Sequence, residues 1–453
     1  MMEFRRRSQS FAAPVAKKET ANWISWLAAA SIAFLVLFNI ALISLAVASI
    51  PARSILSVAL LGLFAILRPQ ILQRAVSRHS MVFLLAGILA AAGCFSSFVN
   101  GADAAVVFRA LLEVHVQAIV TLLFATVASE LAGPRAAVAA FVAAVGISAG
   151  IAFMQIGGLD FAWSMRETLG GLQDHELHEN SSFLNRRPMG LSFSPIHLAT
   201  QACLAFAAYA GLKYWEQKTA AASSIDWRIL MAVGALVAVS ITCATRSPIL
   251  GATIFLVVYL AMKGDTAAAI LLLVSGGALY LAAPIILDAM QGSEIRAFRV
   301  GDNSSTGRLP LVNFGVLLFL DNPLGYGFDF ASQDHWSKFW PEIYSMPSAG
   351  VIRVAELHNY FLNMLTTYGI GLLLTVPPVA LLLWRGRKFI PVFIPYIAHI
   401  TFHNSGPFWN DTLFWFVIGA FSAMRTSGAV GDPPISREHA TRLPPTFRAR
   451  AAA

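Results

Sequence analysis

The feature that most constrains this chain is a succession of apolar segments, each close in length to one membrane-crossing helix. A helix needs about 20 apolar residues to cross the hydrocarbon core of a bilayer, or a few fewer where its polar ends reach the interface. About twelve such segments occur, at 24–48, 53–69, 81–99, 104–129, 134–156, 190–212, 228–245, 247–263, 266–289, 357–384, 389–404 and 410–425. The sequence therefore predicts an all-α polytopic membrane protein with about twelve transmembrane helices.

Composition supports an environment of lipid and other apolar helices. Hydrophobic residues make up 57% of the chain and charged residues only 12%, whereas soluble domains carry about 25% charged residues. The net charge of +8 comes from short basic segments between the apolar ones, which is typical of membrane topology and not of nucleic-acid binding. We expect membrane lipids as partners and no nucleic acid.

The basic segments predict the orientation of the chain. The segments 68–79 and 385–388 fall on one side of the membrane if both termini are cytoplasmic, and opposite loops such as 100–103 lack such clusters. This asymmetry predicts an even number of spans. The expected domains are a cytoplasmic tail at 1–21, a membrane domain at 22–425 and a disordered cytoplasmic tail at 426–453.

Two long loops are expected on the outer, periplasmic side, at about 157–189 and 290–355. Loops of this length are uncommon and usually functional. The second one contains the sequence NSST, which supplies helix N-cap candidates, and then DNPLGYG (321–327), whose Asn-Pro pair and glycines end a helix. We predict one helix of about 15 residues between these signals.

The arginines on the outer side are candidates for binding an anion. Arg246 interrupts an otherwise apolar run, where Ser247 and Pro248 suit the N-cap and first position of a new helix. The run is therefore predicted to be a tight helical hairpin with Arg246 at its tip. Snorkelling of this arginine to lipid headgroups is the alternative.

Three further arginines reach the same side. Arg308 falls in the first turn of the loop helix, and Arg186 and Arg187 precede the sixth span. A guanidinium group binds phosphate oxygens through two parallel hydrogen bonds, so an arginine cluster suits a diphosphate. Ordinary solvated loop arginines are the alternative.

The histidines are candidates for proton transfer. His358 opens the tenth span, and imidazole suits proton abstraction from a hydroxyl near neutral pH. The alternative is a helix-terminus histidine that packs against a neighbour. Asn359 and His403 are substrate-binding candidates. The sequence DHELHE (174–179) lacks the spacing of a zinc protease motif, and no phosphate-loop or dinucleotide motif occurs in a credible context, so we expect no metal and no cofactor.

The order and spacing of these motifs resemble the bacterial O-antigen ligase and O-antigen polymerase superfamily. Arg246 and Leu250 match an R-x3-L hairpin pattern, and His358 and Gly369 match an H-x10-G pattern. The stretches GRLPLVNFGVLLFLDNPLGYG and RRPMGLSFSPIHLA are similar to other segments of the family, so that the resemblance covers about residues 185–380.

The resemblance implies an inverting, metal-independent glycosyltransferase of the bacterial inner membrane, active on the periplasmic side. It implies an undecaprenyl-diphosphate-linked glycan as donor, and lipid A-core (for a ligase) or a growing glycan (for a polymerase) as acceptor. His358 would be the base, and Arg246 and Arg308 would bind the diphosphate. A flippase of lipid-linked glycans is the rival class. Only Arg109, Glu113 and His115 within the fourth span suggest it, and the i, i+4 spacing of Arg109 and Glu113 predicts a structural pair.

Overall fold

The computed structural model describes most of the chain. The described residues are 16–42, 45–47, 50–170, 187–217, 225–265, 267, 268, 270, 272–274, 307–328, 330–403 and 411–431. Most of the predicted ninth span (266–289), the beginning of the second long loop and the chain ends therefore lie outside the described residues.

The described part is helical apart from one short β-hairpin, in which β1 (Ala46–Val47) pairs antiparallel with β2 (Ile50–Pro51). The α-helices are α1 (Ala16–Ala41), α2 (Ala52–Leu67), α3 (Pro69–Arg78), α4 (Ser80–Val99), α5 (Ala104–Ala110), α6 (Gln117–Ala132), α7 (Pro134–Ile156), α8 (Asp160–Gly170), α9 (Pro195–Glu216), α10 (Trp227–Thr242), α11 (Ser247–Met262), α12 (Arg308–Asp321), α13 (Trp336–Ile343), α14 (Tyr360–Tyr368), α15 (Val376–Gly386), α16 (Ile394–Phe402) and α17 (Thr412–Gly431). A π-helix, Leu111–Val116, joins α5 to α6, and 3-10 helices cover Ser332–His335, Ala349–Arg353, Gly369–Thr375 and Ile390–Phe393. The predicted all-α class is confirmed.

Five helical segments of the described chain are long and apolar enough to cross a membrane: Trp23–Ala41, Ser80–Val99, Ala104–Ala132, Pro134–Ile156 and Tyr360–Gly386. α2 and α3 add a sixth only if they count as one span, and the chain bends by 117° between them. Pro69 explains this bend, because proline lacks an N–H group and disfavours helical geometry at the residue before it. The predicted count of about twelve is not confirmed, since four other predicted spans are apolar helices of at most 17 residues.

Three segments that the sequence analysis treated as loops contain helices. The basic segment 68–79 forms α3, the first long loop contains α8, and the second contains α13 in addition to the predicted α12. α12 ends at Asp321, directly before the Asn-Pro pair, as predicted. α13 was missed because it is only eight residues long and has Pro341 inside it. Such a helix owes its stability to tertiary packing rather than to its own propensity.

The main hydrophobic core lies where α6, α7 and α17 meet. The rings of Phe141 and Phe416 stack with their centroids 5.2 Å apart, and Phe124 packs beside Phe416. A Cβ added at Gly419 would lie 2.6 Å from the Cβ of Ala125, so α17 and α6 approach each other backbone to backbone. Small residues at such crossings are typical of helix packing in membranes.

A second, smaller core forms what we call the cap: α12, α13 and the residues up to Leu357. Its buried side chains are Leu311, Phe314, Leu318, Phe339, Ile343, Ala349, Ile352 and Leu357. Asp321 fastens the end of α12 to α13 by accepting hydrogen bonds from Lys338 and from Tyr326, which hold the pKa of that carboxyl below its usual range. The cap therefore carries Arg308 at one end and leads directly into His358 at the other. We call the end of the helix bundle that bears the cap, with Arg308 and His358, the site end.

The segment 322–327 joins the cap to the bundle. It runs between the end of α4 and the end of α14, where the N–H of Tyr326 donates to the carbonyl of Thr366 (2.8 Å). On its other side, the amide of Asn100 donates to the carbonyl of Gly325 (2.9 Å). The segment 322–327, which we call the insert, thus does more than end α12. It ties the cap to the ends of α4 and α14.

Gly369 ends α14 at this insert. Its backbone has φ +59° and ψ −151°, a conformation essentially restricted to glycine. A Cβ at this position would overlap the backbone of Leu324. Gly369 therefore breaks the predicted tenth span into α14, a 3-10 helix and α15, and it lets the insert approach closely.

We expect Gly369→Ala to lower the thermal unfolding midpoint of the purified protein strongly. Backbone strain alone costs about 1–3 kcal/mol, and the overlap with Leu324 adds to it. Gly386→Ala is the matched control, because a Cβ there meets nothing within 4 Å. Equal midpoints for the two variants would contradict the close approach of the insert.

Candidate active site

The tip of the predicted hairpin, between α10 and α11, is held by Arg187. The guanidinium Nη2 donates to the carbonyls of Cys243 (3.2 Å) and Ala244 (3.4 Å), and it also contacts Thr245 Oγ1 (3.4 Å). These bonds satisfy carbonyl groups that the end of α10 leaves open. They also stabilise the turn in which Ala244 has a positive φ of 51°. Arg187 thus positions the backbone that carries Arg246.

Ser247 is not the N-cap of α11, in contrast to the sequence prediction. Arg246 occupies the cap position, and Ser247 is the first helical residue. The Ser247 hydroxyl instead lies 2.9 Å from Nδ1 of His399, a buried histidine of α16. Nε2 of His399 faces the carbonyl of Ile196 (3.3 Å) and Thr200 Oγ1 (2.9 Å).

These contacts fix the tautomer of His399. Because a carbonyl can only accept, Nε2 of His399 carries the hydrogen, and Nδ1 accepts a hydrogen bond from Ser247. The ring therefore connects the hairpin tip to α9 and α16. The serine was misassigned because this connection spans more than 150 residues of sequence and leaves no local pattern.

His358 lies at the start of α14, one residue before its N-cap. Asn359 caps this helix, since its Oδ1 accepts from the N–H of Leu362 (3.0 Å). The His358 Nδ1 lies 2.8 Å from the carbonyl oxygen of Glu356. A carbonyl accepts only, so the neutral ring carries its hydrogen on Nδ1 and keeps the lone pair on Nε2. The half-buried ring thus has the atom that a general base requires.

His403 is the residue around which the other candidates gather. Its ring is only 8% exposed, and Nδ1 is buried with no hydrogen-bond partner among the described residues. The Arg308 guanidinium lies over the ring of Phe402, with Cζ 5.3 Å from the centroid. The charges of His399, Arg308, His358 and Arg187 all act on this buried ring.

The structure thus brings Arg187, Arg308, His358 and His403 together at the site end. Arg246 has an exposed side chain at the hairpin tip and adjoins this group through the contact of Ser247 with His399. Arg186 and the segment 174–179 lie outside the described residues. The described chain contains no group of three or more His, Cys, Asp or Glu side chains that could hold a metal ion.

Asn359, a predicted substrate-binding residue, has its side chain partly used by the start of α14. The side-chain oxygen of Asn359 is used by the helix cap, so its NH2 group is the part that could meet a ligand.

Arg109 and Glu113 form the predicted structural pair, with Nε and Oε1 2.7 Å apart and the arginine largely exposed. The prediction of a pair there is confirmed.

The sequence analysis missed His399, the buried Arg166 and the half-buried Arg53. His399 and His403 are separated by one helical turn inside an apolar segment, and ionisable residues in such segments are often functional. That spacing was an available signal. Arg166 had none, because it stands among polar loop residues and only the fold reveals that it is 1% exposed.

A family model built from known proteins matches the part of the chain that contains most of the candidate site. Residues 229–376 match the family model described as O-antigen ligase, a range that contains the hairpin, the cap and His358. The resemblance to the O-antigen ligase and polymerase superfamily is confirmed. The O-antigen ligase match implies a glycosyltransferase-like enzyme, and the apolar helices make it a multi-pass membrane protein. No curated protein is significantly similar to the chain.

Proposed function

We propose that this protein transfers a glycan from undecaprenyl diphosphate to an acceptor hydroxyl during assembly of a surface polysaccharide. The observation that carries this proposal is the meeting of Arg308, which lies over Phe402, and of the hairpin tip held by Arg187, which contacts His399, at the end of α16 beside His403. The charge of His358 acts on the same histidine. Within that group, His358 is held so that Nε2 keeps a free lone pair. One base and several guanidinium groups are what transfer from a diphosphate donor requires.

The reaction then proceeds as a single displacement. Nε2 of His358 takes the proton from the acceptor hydroxyl, and the oxygen attacks the anomeric carbon as the bond from that carbon to the diphosphate oxygen breaks. The diphosphate leaves with the electron pair, and Arg246 and Arg308 bind the charge that develops on it. Attack from the side opposite the leaving group inverts the anomeric configuration.

The two positively charged side chains replace the general acid of a hydrolytic glycosidase. A glycosidase needs one carboxylic acid to protonate a poor leaving group, and a second carboxylate on the other side of the sugar. A lipid diphosphate is already a good leaving group, so its negative charge needs cations more than it needs a proton. We therefore assign Arg186, Arg187, Asn359 and His403 to substrate binding and assign no metal or cofactor to the reaction.

Two acceptors fit this chemistry. A polymerase adds the glycan to a growing chain, and a ligase adds it to lipid A-core. We favour the polymerase, because the stretch SPIH (194–197) and the absence of a tryptophan directly after Arg308 set this sequence apart from the ligase pattern.

The site is proposed to face the periplasm of the bacterial inner membrane. The end of the bundle opposite the site carries basic side chains, among them Arg135, which bonds Glu216 at 2.6 Å, and Lys213, which bonds the same carboxylate at 2.8 Å. Basic residues concentrate on the cytoplasmic side of membrane proteins. The site end is therefore expected outside.

Cysteine labelling in intact cells tests this orientation. In a chain whose three cysteines are replaced, His175→Cys and Lys338→Cys should react with an impermeant maleimide, whereas Lys218→Cys and Arg387→Cys should react only after lysis. Labelling of Lys218→Cys with protection of Lys338→Cys in intact cells would place Arg308 and His358 on the cytoplasmic side and overturn the proposed site.

A further inference from the structure

Arg166 and Arg53, two arginines at the site end, have no role in the reaction described so far. Arg166, in α8, is 1% exposed, and its guanidinium Nη1 donates to the carbonyl of Ala41 (3.3 Å). Arg53 lies in the first turn of α2 and is half-buried. The Nε atoms of both are buried and have no hydrogen-bond partner among the described residues. Burial of a guanidinium group in this state is unfavourable unless another charge compensates it.

The neighbouring carboxylates do not balance these two charges. Glu113 and Asp411 act on Arg53, but Glu113 is already bonded to Arg109 at 2.7 Å. Asp411 precedes α17 and accepts from the N–H groups at its start. Arg166 forms no ion pair with any described residue. Counted over the described residues, the cluster therefore keeps a net positive charge that an anion could neutralise.

A line of histidines connects this cluster to the candidate active site. The charges of Arg166 and Arg53 both act on the ring of His197, at the start of α9. His197 in turn acts on His399, whose ring centroid lies 4.9 Å from that of His403. Arg166 bonds Ala41 at the end of α1, and the N–H of Ala52 donates to the carbonyl of Leu45 (2.8 Å), so the hairpin after α1 brings Arg53 to the same end of the bundle as Arg166.

We propose that Arg53 and Arg166 form a second anion site, which binds a phosphate group of the acceptor. This inference rests on the proposed function, in which Arg246 and Arg308 already bind the diphosphate of the donor. A second phosphate-bearing substrate needs cations of its own, and guanidinium groups provide paired donors for phosphate oxygens. The acceptor of a polymerase carries a lipid diphosphate, and lipid A-core carries phosphate substituents, so the chemistry is shared by both sources.

Steady-state kinetics with each acceptor separates this site from the donor site. Arg53→Gln and Arg166→Lys should each raise the KM for the acceptor about 10- to 100-fold, which corresponds to the loss of a hydrogen bond between charged groups. The KM for the donor should stay within about twofold. Lys388→Gln is the control, because it removes an exposed cation of the basic segment 385–388 and leaves both the cap and the cluster intact. An unchanged acceptor KM in Arg53→Gln would overturn the proposal.

The two acceptor sources give distinct outcomes in the same assay. If the phosphate belongs to a growing chain, the effect of Arg53→Gln appears with a lipid-diphosphate oligosaccharide as acceptor. If it belongs to lipid A-core, the effect appears with that acceptor instead. An equal KM increase for an acceptor that carries no phosphate would show that these arginines act on the fold and would contradict phosphate binding.

A binding measurement keeps the inference separate from the proposed function. Calorimetric titration of the purified protein with inorganic pyrophosphate should show two equivalents for the wild type, and one for Arg53→Gln and for Arg166→Lys. This result does not require any transfer, so failure of transfer in the wild type would contradict the proposed function and leave this site standing. Two equivalents in Arg53→Gln, together with a lower thermal midpoint, would assign the arginine to structure and overturn the second site.

Discussion

His358→Ala is expected to slow glycosyl transfer by roughly 100- to 10,000-fold, the usual contribution of a positioned general base. Donor binding should persist, because Arg308 and Arg246 remain. The expectation depends on the contact of Nδ1 with the Glu356 carbonyl (2.8 Å), which leaves the lone pair on Nε2. The rate and the affinity for the lipid-diphosphate donor are measured on purified protein.

His335→Ala is the matched control for this variant. His335 also lies in the cap, but its ring packs on Tyr326 and Phe330, at centroid distances of 4.8 and 5.5 Å. The His335→Ala variant should transfer the glycan at nearly the wild-type rate. Near-normal turnover by His358→Ala would instead make this ring a packing residue at a helix start.

Arg246→Lys and Arg308→Lys should each lower the rate by roughly 100- to 1000-fold, the typical cost of losing a preorganised donor to a developing charge. Lysine keeps the positive charge but loses the paired donors of the guanidinium group. The Arg308 side chain is already placed, because it lies over the ring of Phe402 and begins the rigid helix α12. The measurement is the transfer rate at saturating acceptor, with folding checked by thermal unfolding.

Arg353→Lys provides the comparison for the arginine variants. Arg353 lies in the same cap and stacks on Trp336 and Trp340, with Cζ 4.4 and 4.0 Å from their ring centroids. Its replacement tests whether any loss of guanidinium from the cap reduces activity. A wild-type rate for Arg308→Lys, or an equal loss for Arg353→Lys, would contradict a specific diphosphate contact.

The sequence predicted the elements of this fold that have local signals. The hairpin with Arg246 at its tip, the helix from Arg308 to Asp321 and the helix start after His358 all follow from capping residues, proline and glycine. The bend at Pro69 and the break at Gly369 depend on how neighbouring segments pack. Gly369 adopts its backbone conformation because the insert at 322–327 passes beside it, and that contact joins residues more than 40 positions apart.

The residues of the candidate site likewise divide into those with a local sequence signal and those whose surroundings depend on distant segments. Arg187, Arg308, His358 and His403 were named from their residue types and their predicted side of the membrane, and the structure gathers them. The burial of Arg166 and the contact between Ser247 and His399 were not predictable, because both depend on partners distant in sequence. Burial is a property of the assembled helices, so an arginine in a polar loop gives no sign of it.

The central claim is tested most directly by the wild-type reaction itself. Purified protein, a chelator, a synthetic oligosaccharide on undecaprenyl diphosphate and a glycan acceptor are incubated, and the new linkage is examined by nuclear magnetic resonance. The account predicts transfer without added metal, release of undecaprenyl diphosphate and an anomeric configuration opposite to that of the donor. Absence of transfer by folded protein that binds the donor, or retention of the anomeric configuration, would contradict single displacement by a hydroxyl that His358 activates.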